Sequence, residues 1–361
     1  MEKRPFLKNL NALRFIAASY TIFFHYWSIP SSTILTGFFK HGHISVPFFF
    51  LLSGFVLSYS YSSYDFDEQG NTKKYILNRL IRLGPIYYIA MVLALPLIFI
   101  SKSYQEVSLA QGIVYMLSHL TFTQSFIPID RMVNFWNIHS WSLSVEVFLY
   151  LISPVFIAKI AKANIKHSCY LLVLTFIINT ILFYFTFEPY HLLEITSPFF
   201  APLYLPTFLN GIVIANIFIK IKNQKTLILA SQRIFPTVSI LLIISFFSNF
   251  SDSFYSPFNP IYHIGFSLLI LSSAVENRYN KFLGSKLLIN LGEASYAMYI
   301  LQAPIKVATQ QTLSKIFGYT QSDGFFYCIS VFLAITASAF VLSHYLDPKI
   351  RKALSARLIR K

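Results

Sequence analysis

Arg14 and His25 are the residues of this chain whose types and spacing best suit chemistry. Ten residues separate them in NLNALRFIAASYTIFFHYWS, a run otherwise apolar and long enough to cross a bilayer. Ionisable groups in such a run are expensive, roughly 2.5–3.5 kcal/mol for an Arg at the helix centre, and are functional by default. Eleven helical steps of about 100° end about 20° past three full turns, with a rise of about 16 Å. Both side chains therefore project from one face, at different depths. The alternative is a snorkelling guanidinium and a histidine satisfied within the bundle. A permanently charged fork suits a phosphate, a carbonyl or a carboxylate partner. An imidazole, with an unperturbed pKa of about 6.5, suits removal of a hydroxyl proton. A base for the hydroxyl and an electrostatic stabiliser for an oxyanion are the requirements of acyl transfer.

Further polar residues extend this set. Arg79 and Arg82, in YILNRLIRLGPIYY, share a helix face at i and i+3. They suit a two-fork phosphate clamp at the membrane surface, the alternative being ordinary charges flanking a span. Ser142 and Glu146, in HSWSLSVEVFLYLISP, also share a face. Glu146 is a candidate carboxylate partner for Arg14, yet it is expected near the outer end of its span, closer in depth to His25, where it would orient the imidazole; a charge in a first helical turn is the alternative. Ser53 lies in LLSGF, which lacks the G-x-S-x-G nucleophile elbow, so the hydroxyl is expected to attack directly, without a covalent serine intermediate. Glu293 reads as a first-turn charge. His119 and His139 read as outer residues able to touch an acceptor, His167 and His344 as interfacial. His41 and His43 lack a third ligand, so no metal site is expected.

The elements that position these groups are membrane helices. The chain has 361 residues, 55% hydrophobic and only 12% charged, with 23 Tyr and 38 Phe. Soluble proteins carry about 25% charged residues. The formal net charge of +15 does not point to nucleic acid, because the basic residues cluster in short stretches between apolar runs, as membrane orientation requires. Cys169 and Cys328 lie in separate apolar runs and suggest neither a disulfide nor a metal site. Apolar runs fall at 10–28, 44–62, 84–100, 108–126, 141–159, 168–186, 199–219, 227–247, 260–276, 288–307 and 325–346. Placing every basic stretch on one side requires one run not to cross. The segment 108–126, with His119, Thr121, Thr123 and Gln124, is the one expected to be re-entrant or interfacial. The expectation is an all-α bundle of about ten crossings, a single membrane domain over 1–361 without a separate soluble domain, both termini cytoplasmic.

Taken together, Arg14-x10-His25, VPFFFLLSGFVLS (with Ser53 and Gly54), RLIRLGP, HSWSLSVEVFLYLISP (with Trp141, Ser142 and Glu146) and LGEASYAMYILQAP resemble the acyltransferase 3 family of integral membrane acyltransferases. The resemblance runs from Leu10 to Lys352. It implies transfer of an acyl group, usually acetyl, from acyl-coenzyme A as co-substrate, with no permanently bound cofactor. The implied acceptor is a hydroxyl of a cell-surface carbohydrate or glycolipid such as lipopolysaccharide O-antigen or exopolysaccharide, and the implied place is the inner membrane. Arg14 and His25 match the family's catalytic pair, and Arg79 and Arg82 its basic segment. Trp141, Ser142 and Glu146 match one sequence block, Tyr296, Tyr299 and Pro304 another. The chain departs from the pattern at Gln302, where many members carry His, and at Asp347-Pro348, where many carry Glu-x-Pro.

Coenzyme A is made inside the cell and is too polar to cross, so the donor is expected from the cytoplasm and the acceptor from outside, with membrane lipids around both. The competing reading is a transporter or flippase for a glycan or acyl substrate. It would suit intramembrane Arg and His, but the halves show no internal repeat of the transporter kind. A glycan polymerase would keep its polar residues in a large outer loop, and the loops here are short.

Overall fold

The computed structural model describes residues 4–27, 34–100, 107–186, 198–248, 256–275, 279–318 and 324–359. Every regular element among them is helical. The helices of twelve residues or more are α1 (Asn9–Tyr26), α2 (Ser45–Tyr61), α3 (Asn71–Leu93), α4 (Leu109–Leu120), α5 (Trp141–Ala161), α6 (Ile165–Thr186), α7 (Leu205–Ile221), α8 (Lys225–Phe247), α9 (Pro260–Ala274), α10 (Lys286–Ile300), α11 (Gln302–Phe317), α12 (Gly324–Val341) and α13 (Asp347–Leu358). Seven stretches among the described residues, containing α2, α3, α5, α6, α7, α8 and α12, are long and apolar enough to cross a bilayer. The chain is a polytopic helical membrane bundle.

Two contact sets define its ends. Tyr26, closing α1, packs beside His139 and Cys328: its hydroxyl meets His139 Nε2 at 3.3 Å, and Cys328 Sγ donates to its carbonyl at 3.0 Å. That is the upper end. At the lower end the Arg4 guanidinium lies over the Tyr59 ring at 5.4 Å, and Asn9 Nδ2 donates to the Ser273 carbonyl at 3.0 Å.

Small residues let the central helices touch backbone to backbone. A Cβ on Gly54 of α2 would strike the Phe208 carbonyl oxygen of α7, and one on Gly211 would strike the Leu51 carbonyl oxygen. Gly292 of α10 meets the backbone of Asn11 in α1 in the same way. Close approach over small residues is how apolar helices associate where lipid offers no hydrophobic drive. α6 joins α7 through polar groups: Thr207 donates to Asn179 Oδ1 at 3.1 Å, and Asn216 Nδ2 donates to Ser168 Oγ at 2.9 Å. α8 stands at the edge, with Leu229, Leu241 and Ile244 exposed.

Three segments depart from the sequence expectations. The run 84–100 was expected to open a span at Gly84-Pro85, after a separate surface stretch. Instead Pro85 lies inside α3, which begins at Asn71. A proline costs a helix one hydrogen bond, but neighbouring helices compensate for it in a membrane. The consequence is that Arg79 and Arg82 enter the bundle rather than lying on its surface. The run 288–307 is divided. α10 ends at Ile300 and α11 starts at Gln302, because Pro304 cannot donate to the Ile300 carbonyl. Asn137 Nδ2 takes that carbonyl at 3.0 Å instead. The run 325–346 does not stop before the basic stretch. A π-helical turn at Leu342–Leu346 carries α12 on into α13, so residues expected in a tail belong to a packed helix. The segment expected not to cross, 108–126, contains α4, whose twelve residues measure about 18 Å, short of the roughly 30 Å hydrocarbon layer.

Candidate active site

A cavity of about 500 Å³ lies within the bundle. Its size suits a small-molecule site. Arg14 and Asn11 of α1, Ser53 of α2, Arg79 and Arg82 of α3, and Ser142, Glu146 and Tyr150 of α5 line it. Glu293, Tyr296 and Tyr299 of α10 and Asp347 and Arg351 of α13 complete the wall. Along α2 the lining runs from Val46 to Leu57, a rise of about 16 Å. A smaller hollow of about 220 Å³ adjoins it below and shares Phe6, Asn11 and Arg14.

Charge is sorted within this space. Four guanidiniums face three carboxylates. Arg14 and Arg82 lie within electrostatic reach of each other and of Glu146. Arg14 Nη1 also donates to Asn11 Oδ1 at 3.4 Å. The Glu146 carboxylate accepts hydrogen bonds from the Tyr150 hydroxyl and, at 3.5 Å, from the Ser53 hydroxyl. Arg79 Nη2 donates to the Tyr61 hydroxyl at 2.7 Å, and its guanidinium lies over the Tyr61 and Tyr75 rings at 5.1 and 5.7 Å. Those contacts fix Arg79 as an oriented wall charge. Arg82 is exposed into the cavity. Tyr296 is anchored by its hydroxyl, which donates to the Leu83 carbonyl at 2.7 Å. Glu293, half exposed, meets His344 at 3.7 Å.

His25 does not line the cavity. Its ring meets the His139 ring edge-on at a centroid distance of 4.6 Å, and the His139 ring meets that of Tyr299 at 5.8 Å. Tyr299 belongs to the cavity wall, so His25 stands one ring beyond its upper end, on a residue that is itself exposed. The His139 ring stands between His25 and the cavity wall that Arg14 lines. Glu146 lines that wall with Arg14. Among the described residues no hydrogen bond or ion pair links it to His25, whose ring packs against those of Phe24, Tyr26 and His139.

The remaining sequence-derived residues divide by role. Ser142 lines the cavity and donates to the His139 carbonyl at 3.4 Å. Gly54 is a packing residue. Trp141 is buried against Phe50, Phe199 and Tyr204, outside the lining. Gln302 is wholly buried, and its amide makes no hydrogen bond among the described residues. His119 cannot touch an acceptor: it is fully buried, with Nε2 donating to the Met132 carbonyl at 2.9 Å and Nδ1 accepting from Ser140 Oγ at 3.1 Å. Sequence reasoning missed Tyr150 and Arg351. Tyr150 lies one helical turn from Glu146 and was legible by that spacing alone. Arg351 was not, since it reads as one of several basic residues after the last apolar run.

Comparison with known proteins adds the following. A family model described as an acyltransferase domain matches residues 7–344. The chain is 31% identical over 127 residues to "Acyltransferase MdmB" of Streptomyces mycarofaciens, a match covering 35% of this chain and 31% of that protein. It is 25% identical over 193 residues to "Putative acetyltransferase ORF330" of Acidianus two-tailed virus, covering 53% of each. The matches thus span about a third and about half of those relatives' lengths. No solved structure matches the chain.

Proposed function

The chain belongs to the acyltransferase 3 family, and from that premise we propose that it moves an acetyl group from acetyl-coenzyme A to a hydroxyl of a cell-surface carbohydrate. The observation that carries this reading is the interior cavity, lined by four guanidiniums and reaching Tyr299, whose ring meets the first of two imidazoles in edge contact. With the basic lower end in the cytoplasm, the donor's phosphates rest among Arg14, Arg79, Arg82 and their neighbours, and the acyl-pantetheine arm rises toward Ser142 and Tyr299. The acceptor comes from above, where His25 is exposed. His25 takes the hydroxyl proton, and the oxygen adds to the thioester carbonyl. The carbon–sulfur bond then breaks, and the thiolate leaves with the proton returned by the imidazolium. Coenzyme A departs downward. The oxyanion that forms between these steps needs a fixed donor at the upper end of the cavity, where the Ser142 and Tyr299 hydroxyls line the wall.

Oriented vesicles provide the test. Labelled acetyl-coenzyme A supplied only to the face bearing the lower end acetylates a glycan acceptor held on the other face. His25→Ala lowers turnover about 10²–10⁴-fold, the usual worth of a general base, and leaves coenzyme A affinity within about twofold because His25 lies outside the cavity. Normal turnover by His25→Ala would overturn the base assignment. Transfer that occurs only when donor and acceptor share one face would overturn the two-sided arrangement.

A further inference from the structure

Arg79 is committed to Tyr61 and Tyr75, and Arg14 faces Glu146. Beside them, Arg82 and Arg351 are the other two guanidiniums of the cavity wall. Arg82 makes no hydrogen bond or ion pair among the described residues and is exposed into the cavity. Arg351 stands within electrostatic reach of it, because α13 packs on α3. Both of these like charges, from adjoining helices, lie within reach of the buried Asp347, which is four residues before Arg351 and ion-paired with it. Asp347 keeps one carboxylate oxygen, Oδ1, without a hydrogen bond, and Arg351 Nε is likewise unengaged. The π-helical turn just before Asp347 re-registers the helix that follows, a feature frequent at functional sites. It turns this one pair of a basic helix into the cavity.

We propose that Arg351 is a further donor-binding residue, which with Arg82 grips the phosphates of the acyl-coenzyme A, and that Asp347 is its stand-in anion when the cavity is empty. This rests on the function proposed above. The donor's phosphates displace Asp347 from Arg351, each guanidinium taking a phosphate as a bidentate fork. The carboxylate therefore opposes binding while keeping the empty cavity from holding two unbalanced charges.

The two residues should act with opposite sign. Coenzyme A binding is measured on the whole purified protein in neutral detergent, free of anionic lipid, so that no lipid phosphate competes. Arg351→Gln weakens binding about tenfold or more, the worth of one charge-assisted hydrogen bond or more. Asp347→Asn tightens it several-fold. Acetyl-pantetheine, which lacks the nucleotide phosphates, is turned over by both variants with the parent's KM. That last arm also reports folding, since a misfolded variant loses both donors. Unchanged coenzyme A affinity in Arg351→Gln overturns the proposal. So does weakening by both variants, or an equal effect on both donors, each of which marks the pair as merely structural. Should Asp347→Asn not fold, Arg351→Gln with its two donors decides alone. A parent protein that binds no coenzyme A defeats the proposed function itself, a result distinct from a parent that binds it and is indifferent to Arg351.

Discussion

Asn137 and Pro304 offer a quantitative test of how the upper end is held. Pro304 has no N–H to give the Ile300 carbonyl, and the Asn137 side chain, wholly buried, donates to that carbonyl at 3.0 Å. Asn137 Oδ1 also accepts from the His139 backbone N–H at 3.2 Å. Asn137→Ala therefore strands two buried backbone groups at about 1–2 kcal/mol each, the lower part of the usual cost, for a loss of about 2–4 kcal/mol. Pro304→Ala restores an N–H able to reach the Ile300 carbonyl by ordinary helical bonding, and by itself shifts stability by less than about 1 kcal/mol, because Asn137 already satisfies that oxygen. In the double variant the Ile300 half of the loss disappears. The coupling between the two substitutions is thus about 1–2 kcal/mol, well above the 0.3–0.5 kcal/mol expected of independent sites. Reversible unfolding in mixed micelles, over the four proteins of the cycle, measures it. Turnover gives a second readout: Asn137→Ala loosens His139 and Tyr299 together and reduces kcat, and Pro304→Ala recovers only the part carried by Tyr299. Additive effects would refute the claim that Asn137 replaces the bond Pro304 removes.

Two further substitutions test packing and charge placement. Gly211→Leu drives a side chain into the Leu51 carbonyl and separates α2 from α7; overpacking of this kind costs about 1–3 kcal/mol or more, read as a lower yield of monodisperse protein and a lower unfolding midpoint. Tyr61→Phe keeps the ring beneath Arg79 but deletes its hydroxyl bond, worth about 1 kcal/mol; the KM for acetyl-coenzyme A rises about fivefold while kcat is unchanged, measured by steady-state kinetics.

Much of the architecture was written in run lengths. Apolar stretches near twenty residues place α1, α2, α5, α6, α7, α8 and α9 within a few residues of their observed bounds. The failures are concentrated at prolines. Pro85 continues a helix and Pro304 divides one, and nothing local distinguishes them: the difference at Pro304 is a side chain from residue 137 that receives the freed carbonyl. For the site, a face calculation on one helix singled out Arg14 and His25; the structure places Arg14 in the cavity wall and His25 outside it. Which carboxylate meets which cation depends on helix rotation and neighbours, so depth alone paired Glu146 with the wrong end of α1. Arg351 was hidden for a related reason. A basic stretch after an apolar run ordinarily marks orientation, and only the π turn and the packing of α13 on α3 make one of its members an interior residue.

The interior cavity takes Arg14 from the first described helix and Arg351 from the last. Synthesis runs from one to the other, so the opening guanidinium waits in the bilayer until nearly all later segments have been inserted. A nascent chain paused at any earlier point has walls but no floor. The cavity wall is complete only once the last described helix has packed on α3.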